Sequence, residues 1–135
     1  MAKSFRLKIV TLDGLSYDGE AEKLSVRTVD GEVCILADHI SYVTALGMGE
    51  AKIWTPEGVR SAACIGGLLS VSDNEVRLVP TTFEWAEDID RERAERARAS
   101  AEETLKDRAH RSDEELRIAE AKLRRALVRS SVSRL

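Results

Sequence analysis

Between Glu87 and Ala94 the chain changes its grammar. All eight glycines and both prolines lie before this stretch. After it the sequence is almost entirely Ala, Arg, Glu and Leu with their charged neighbours, a composition that favours helix. The chain therefore reads as two parts, residues 1–86 and residues 87–135. Within Glu87-Asp88-Ile89-Asp90-Arg91-Glu92-Arg93-Ala94, Asp88 is placed to accept the free N–H groups of a first helical turn, and Asp90 sits where the positive end of the helix dipole favours an anion. A helix is predicted to start here.

The first part is a series of short strands. Phe5, Leu7, Ile9 and Thr11 alternate with Arg6, Lys8 and Val10, the period-two pattern of a half-buried strand. Asp13-Gly14 ends it. A run from Leu15 to Ala21 leads into Leu24, Val26 and Thr28 alternating with Lys23, Ser25 and Arg27, and Asp30-Gly31 supplies a hairpin turn. Val33 to Leu36 is expected as a buried strand. Further strands are predicted at Tyr42 to Leu46, Glu50 to Thr55, Val59 to Ile65, Leu68 to Ser72 and Glu75 to Val79, with Gly66-Gly67 as one separator and the pattern changing after Pro80. Many short strands at this spacing imply an antiparallel β-sandwich or barrel.

The second part has helical spacing. Ala94, Ala97, Ala101 and Leu105 form a thin apolar stripe. The pattern weakens near Ala109-His110-Arg111, and Ser112 with Glu115 makes a capping-box signature for a second helix. Leu116, Ala119, Leu123 and Ala126 or Leu127 form its seam. A short connection makes the helices antiparallel neighbours, a helical hairpin. Alanine seams bury little area, so at roughly 25 cal/mol per Å² the pair is marginal against its ordering entropy. Such an element can open, pack on a partner or be held closed by a ligand.

Composition excludes several functions. Residues 1–85 carry 8 Lys and Arg against 12 Asp and Glu, and residues 86–135 carry 13 against 12, so neither half is a strong ligand for nucleic acid or anionic lipid. Arg117, Arg124, Arg125, Arg129 and Arg134 give the second helix a basic character. Interleaved glutamates and the absence of aromatic stacking residues argue against a nucleic-acid adaptor. Met-Ala-Lys-Ser-Phe-Arg-Leu-Lys lacks the apolar core of a secretory signal, and no apolar run reaches the roughly twenty residues that span a bilayer. Cys34 and Cys64 have no metal-ligand spacing and read as buried reduced thiols, with a disulfide as the alternative. Trp54 and Trp85 read as packing residues, Trp85 as the seat of the helices. With only His39 and His110 as imidazoles and no catalytic set, the residues give no catalytic or metal site and no independent enzyme.

Three stretches together carry a family resemblance. Asp30-Gly31-Glu32-Val33-Cys34-Ile35-Leu36-Ala37-Asp38-His39, then Gly66-Gly67-Leu68-Leu69-Ser70-Val71-Ser72-Asp73-Asn74-Glu75-Val76, then Asp88-Ile89-Asp90-Arg91-Glu92-Arg93-Ala94 fall in order over nearly the whole chain. In this the chain resembles the epsilon subunit of F-type ATP synthases, of the bacterial and chloroplast type. Ala37 departs from the proline usual there.

The resemblance implies an N-terminal antiparallel β-sandwich that binds the rotor beside the gamma subunit and touches the membrane c-ring, followed by a C-terminal antiparallel two-helix hairpin that reaches toward the alpha and beta subunits and restrains ATP hydrolysis. It implies a non-catalytic subunit with no required cofactor, peripheral to the cytoplasmic face of a bacterial cell membrane, or to the stromal side of a thylakoid, and attached only through the complex. By the same resemblance Glu32 and His39 face the c-ring, and Arg124 and Arg125 meet acidic loops of the beta subunit. Glu84, Ile89, Asp90, Arg93, Ala94, Arg125 and Arg129 match a set that binds ATP as a regulatory ligand in some members, while Ser100 and Ile118 replace two arginines of it. The competing readings are a non-catalytic adaptor with a coiled-coil tail and an ATP-sensing module.

Overall fold

The computed structural model describes residues 3–133. Two compact units are divided between Trp85 and Ala86. The first holds eight strands: β1 (Phe5–Thr11), β2 (Gly14–Ala21), β3 (Lys23–Thr28), β4 (Gly31–Leu36), β5 (Tyr42–Ala45), β6 (Met48–Thr55), β7 (Gly58–Ser72) and β8 (Glu75–Trp85). They form the expected β-sandwich, with strand order β2-β1-β8-β7-β6-β3-β4 and β5 paired to β7. Pairing is antiparallel except for β1 and β8, which run parallel over Arg6–Ile9 and Glu75–Leu78. Alternate residues point inward, and Leu7, Ile9, Leu24, Ile35, Ile53, Leu69 and Leu78 are wholly buried in the shared core.

Three of the hairpins are closed by one repeated device, Thr-x-acid-Gly. At Thr11, Thr28 and Thr55 the hydroxyl accepts the N–H of Asp13, Asp30 and Glu57, each at 3.2 Å. The same hydroxyl donates to the carbonyl of Gly14, Gly31 or Gly58 at 3.3, 2.7 and 2.8 Å. Side-chain oxygens that bond their own backbone two or three residues on favour turns over strands. The glycines close each turn with φ between 118° and 129°, where a side chain is strained.

The separators Gly66-Gly67 and Pro80 do not end strands. β7 and β8 run through them, and the inward-facing parity changes there, from Cys64 to Leu69 and Val71 in β7 and from Val76 and Leu78 to Phe83 and Trp85 in β8. Gly67 pairs with Pro80 at this corner. A Cβ on Gly67 would run into the Val79 carbonyl and lie 2.6 Å from Pro80 Cα, so the glycine permits two backbones to cross closely where the sheet folds over itself. The glycine pair is thus a bend within one strand. β4 is also corrected: Glu32, Cys34 and Leu36 are exposed while Ile35 is buried, a half-buried strand at the end of the strand order rather than a buried one. Cys34 is therefore an exposed thiol, and both cysteines are free.

The second unit holds a short 3-10 turn (Ala86–Asp88), α1 (Arg91–Lys106), a second 3-10 turn (Arg108–His110) and α2 (Asp113–Ser133), with α1 and α2 packed as a hairpin. The cap of α1 is Asp90, not Asp88, because Asp88 is taken up in the preceding 3-10 turn; Asp90 has extended backbone angles and Asp88 does not precede the helix directly. Ser112 caps α2 as expected, its Oγ accepting the Glu115 N–H at 3.1 Å. The seam uses Ala94 and Ala101 of α1 against Leu116, Ala119, Ala126, Ser130 and Val132 of α2. Ala97 is exposed, since the buried stripe runs through the half-buried stem of Arg98 instead, and Ala126 rather than Leu127 faces inward. Arg134 lies outside the described residues.

Candidate docking face and hairpin site

Outward residues of the sandwich line up across five strands. Val10 pairs with Leu15 of β2. β1 and β8 pair as far as Ile9 and Leu78, and Val10 and Val79 are the next residues of each; Val79 pairs with Leu68, which pairs with Ala45. The resulting row is Leu15, Val10, Val79, Leu68, Ala45. Its four larger side chains are 61%, 40%, 47% and 54% exposed. Single exposed aliphatics are ordinary on a protein surface, but a contiguous apolar row across a sheet face marks an interaction surface. Below it, Ser70, Ser72, Glu75 and Arg77 make the face polar, with Glu75 held between Lys8 at 3.8 Å and Arg77 at 3.3 Å. The row was not legible beforehand, because it depends on the parallel β1–β8 pairing, which no local pattern announces.

Glu32 and His39 occupy different settings. Glu32 is an exposed residue within β4, not a loop residue; it stands opposite Arg27, and its Oε1 accepts from Ser25 Oγ at 2.9 Å. His39 is half-buried in the connection after β4. Its Nδ1 lies 2.8 Å from the Ile40 carbonyl; a carbonyl only accepts, so Nδ1 is the donor here, and in the tautomer with the proton on Nδ1 alone Nε2 is an acceptor. Its ring tilts against Tyr42 at 5.9 Å between centroids, and Ile40 beside it is 77% exposed.

On the hairpin, Glu95, Arg98, Leu127, Ser130 and Ser131 line one groove. Arg98 bridges Glu95 at 2.8 Å and Glu102 at 3.3 Å, and this guanidinium holds the Glu95 carboxyl below the usual carboxylate range. The groove lies on the Leu127 flank of α2. Arg125 and Arg129 lie on the opposite flank, across the Ala126 and Ser130 seam, and by the 3.6-residue period that flank meets the side of α1 carrying Asp90, Arg93 and Ala97. Glu95 and Ser130 line the same groove, and this sets the axial register. Arg129 then lies level with Arg96 and Arg125 level with Ser100, so Arg93 and Arg125 are separated by roughly 10 Å along the axis. Asp90 and Arg93 are exposed, Ile89, Arg125 and Arg129 half-buried, and Ala94 buried in the seam. Glu84 belongs to the other unit, near the end of β8. Arg124 is exposed, and as the immediate neighbour of Arg125 it projects about 100° around the helix from it.

Trp85 packs within the sandwich, edge-on to Phe83 at 4.9 Å and to Tyr17 at 6.4 Å, with the Arg60 guanidinium 3.5 Å above its ring. Trp54 carries Lys23 over its ring at 4.5 Å. Desolvation raises the Tyr17 phenol, whose hydroxyl donates to the Glu20 carbonyl at 2.7 Å. Among the described residues no group of three or more His, Cys, Asp or Glu could hold a metal ion.

Two family models match this arrangement: the ATP synthase delta/epsilon chain beta-sandwich domain over residues 4–86, and the ATP synthase delta/epsilon chain long alpha-helix domain over residues 87–134. The chain belongs to the ATP synthase delta/epsilon chain family. This family member is 39% identical over 130 residues to the ATP synthase epsilon chain of Ruminococcus albus, covering 96% of both chains. It is 37% identical over 130 residues to that of Clostridium novyi, covering 96% of this chain and 97% of the relative. Among solved structures, a chain of the Euglena gracilis mitochondrial ATP synthase, in an assembly of OSCP, F1 and c-ring, shares the fold with a TM-score of 0.79 at 21% identity, over 90% of the family member and 76% of that chain. A central-stalk and c-ring structure of the Tetrahymena thermophila mitochondrial enzyme gives a TM-score of 0.55 at 13% identity, over 66% and 72% of the two chains.

Proposed function

We propose that the chain is the non-catalytic epsilon subunit of an F-type ATP synthase central stalk, peripheral to the membrane and joined to it only through the complex. Family membership supports the assignment, and the apolar row Leu15, Val10, Val79, Leu68, Ala45 carries the mode of action. It is the face of the sandwich suited to a permanent partner, and that partner is the gamma subunit. Glu32 and the His39 corner face the polar loops of the c-ring, so the sandwich couples gamma to the ring. Among the described residues no helix is long and apolar enough to cross a membrane. The cellular site is the cytoplasmic face of a bacterial membrane. Leu68→Asp places a charge in the middle of the row; abolished binding to gamma with an unchanged melting temperature supports the docking face, and retained affinity refutes it.

The hairpin is the regulatory arm in this reading. Extended toward the alpha and beta subunits, it restrains ATP hydrolysis, with Arg124 and Arg125 meeting acidic loops of beta. Hydrolysis by the catalytic complex is compared for the full chain and for a chain ending after Ala86; higher activity with the shorter chain identifies the helices as inhibitory. Charge reversal at Arg124 and Arg125 should relieve the restraint in the full chain, and equal restraint would reject those contacts. A regulatory ATP is a second element of the proposal. What favours it is that Asp90, Arg93, Arg125 and Arg129 share one flank of the hairpin, a span suited to a polyphosphate and its paired cations. Isothermal titration with MgATP tests this directly, and absence of both heat and a rise in melting temperature at millimolar ligand would dispose of it.

A further inference from the structure

The turn between β7 and β8 is made by Asp73 and Asn74, whose φ values of 51° and 59° are both left-handed. Asn, Asp and Gly all serve such a turn, so turn chemistry alone does not select the amide at position 74. Its side chain does something the turn does not need. Asn74 Oδ1 accepts the Asp38 N–H at 2.8 Å, Nδ2 donates to the Ser4 carbonyl at 3.0 Å, and the Asn74 carbonyl accepts the Arg6 N–H at 3.2 Å. One residue therefore binds the entry to β1, the β7–β8 turn and the connection after β4. The pairing of an acceptor with an N–H and a donor with a carbonyl uses both ends of an amide.

The connection it holds lacks strand or helix structure from residue 37 to residue 41. Asp38 within it has φ of 63°, a left-handed conformation that Asp tolerates better than most side chains. Directly after Asp38 come His39, with Nδ1 committed to the Ile40 carbonyl, and Ile40 itself, largely exposed. This corner offers a partner one imidazole acceptor beside one aliphatic side chain. It suits a surface with an N–H or O–H donor next to an apolar contact. We propose that Asn74 is the positioning residue for the Asp38–Ile40 corner, fixing in advance the geometry with which His39 and Ile40 dock on the c-ring. The role rests on the c-ring reading given above. Preorganising a loop lowers the cost of ordering it on binding.

The full chain carrying Asn74→Gly keeps a residue suited to the turn while losing both side-chain bonds. Assembled into the complex, it should pump fewer ions per ATP hydrolysed while its affinity for gamma stays unchanged, and in the isolated chain the Asp38 amide should exchange about fivefold faster or more, the weight of one lost hydrogen bond. Asn74→Asp, which retains the acceptor for Asp38 but not the donor to Ser4, should fall between wild type and Asn74→Gly on both readouts, and it carries the comparison if the glycine variant does not fold. Unchanged Asp38 exchange overturns the proposal. So does a freed Asp38 with full pumping when His39→Ala pumps poorly. If His39→Ala and Asn74→Gly both pump fully, the c-ring reading itself fails and the positioning role falls with it.

Discussion

Asp90 Oδ1 accepts the backbone N–H of Arg93 at 3.1 Å, so the carboxylate that heads the proposed nucleotide set is also the cap of α1. The two roles separate by substitution. Asp90→Ala should cost about 1 kcal/mol of hairpin stability, seen as lower helicity and an earlier helical transition by circular dichroism. Asp90→Asn caps almost as well and should keep the helix. If the carboxylate charge takes part in nucleotide binding, the asparagine variant loses MgATP affinity while keeping its helicity.

Gly67 should be the least replaceable glycine of the sandwich. Gly67→Ala drives a Cβ into the Val79 carbonyl at φ of 107°, against backbone that cannot give way. The expected cost is at least about 3 kcal/mol. Gly58→Ala, at φ of 129° with nothing within 4 Å of the new Cβ, meets only conformational strain and should cost about 1 kcal/mol. Urea denaturation of the two variants compares them; similar costs would show that the corner is softer than its geometry implies.

Acid should loosen the hairpin through Glu95. Arg98 lowers the folded-state pKa of this carboxyl, so the stabilisation is fully present above the unfolded carboxylate value of about 4.3 and is lost as the pH falls through the lower folded value. Helicity of the wild type should decline over that acidic range. Glu95→Gln, which cannot titrate, should show a shallower decline.

The cysteines should differ sharply in reactivity. Cys34 is exposed on β4, whereas burial pushes the Cys64 thiol up to about 12. Thiolate is the reactive form, so a thiol reagent should label one cysteine quickly in the native chain and the second only on unfolding. Cys34→Ser should abolish the fast phase.

What could be read in advance followed the range of the interactions concerned. The span of β1, the presence of the two helices, the cap at Ser112 and the hairpin of α1 and α2 all rest on residues a few positions apart, and the sequence displays such information directly. Gly66-Gly67 misled because glycine pairs mark turns and bends alike, and only the partner strand at Val79 and Pro80 decides between them. Asp88 and Asp90 are both good caps by composition; the 3-10 turn ahead of α1 settles the choice. Cys34 was misplaced because β4 lies at the end of the strand order, where an apolar run need not be buried on both faces. The candidate sites divide in the same way. Helical spacing puts Asp90 beside Arg93 and Arg125 beside Arg129, while their shared flank, the docking row and the Asn74 clasp join segments that only tertiary pairing brings together.

The repeated Thr-x-acid-Gly turns and the parallel β1–β8 pairing also imply an order of assembly. Each turn registers two neighbouring strands within a handful of residues, so those hairpins can form as soon as they leave the ribosome. The first strand acquires β2 at once but waits for β8, whose turn residue Asn74 lies 70 positions beyond its partner Ser4. Until that late segment emerges, one edge of β1 is open, its amides and carbonyls unpaired and ready to template another chain. Crowded synthesis should therefore expose a window for misassembly at this edge, and closing the window is the last act of making the domain.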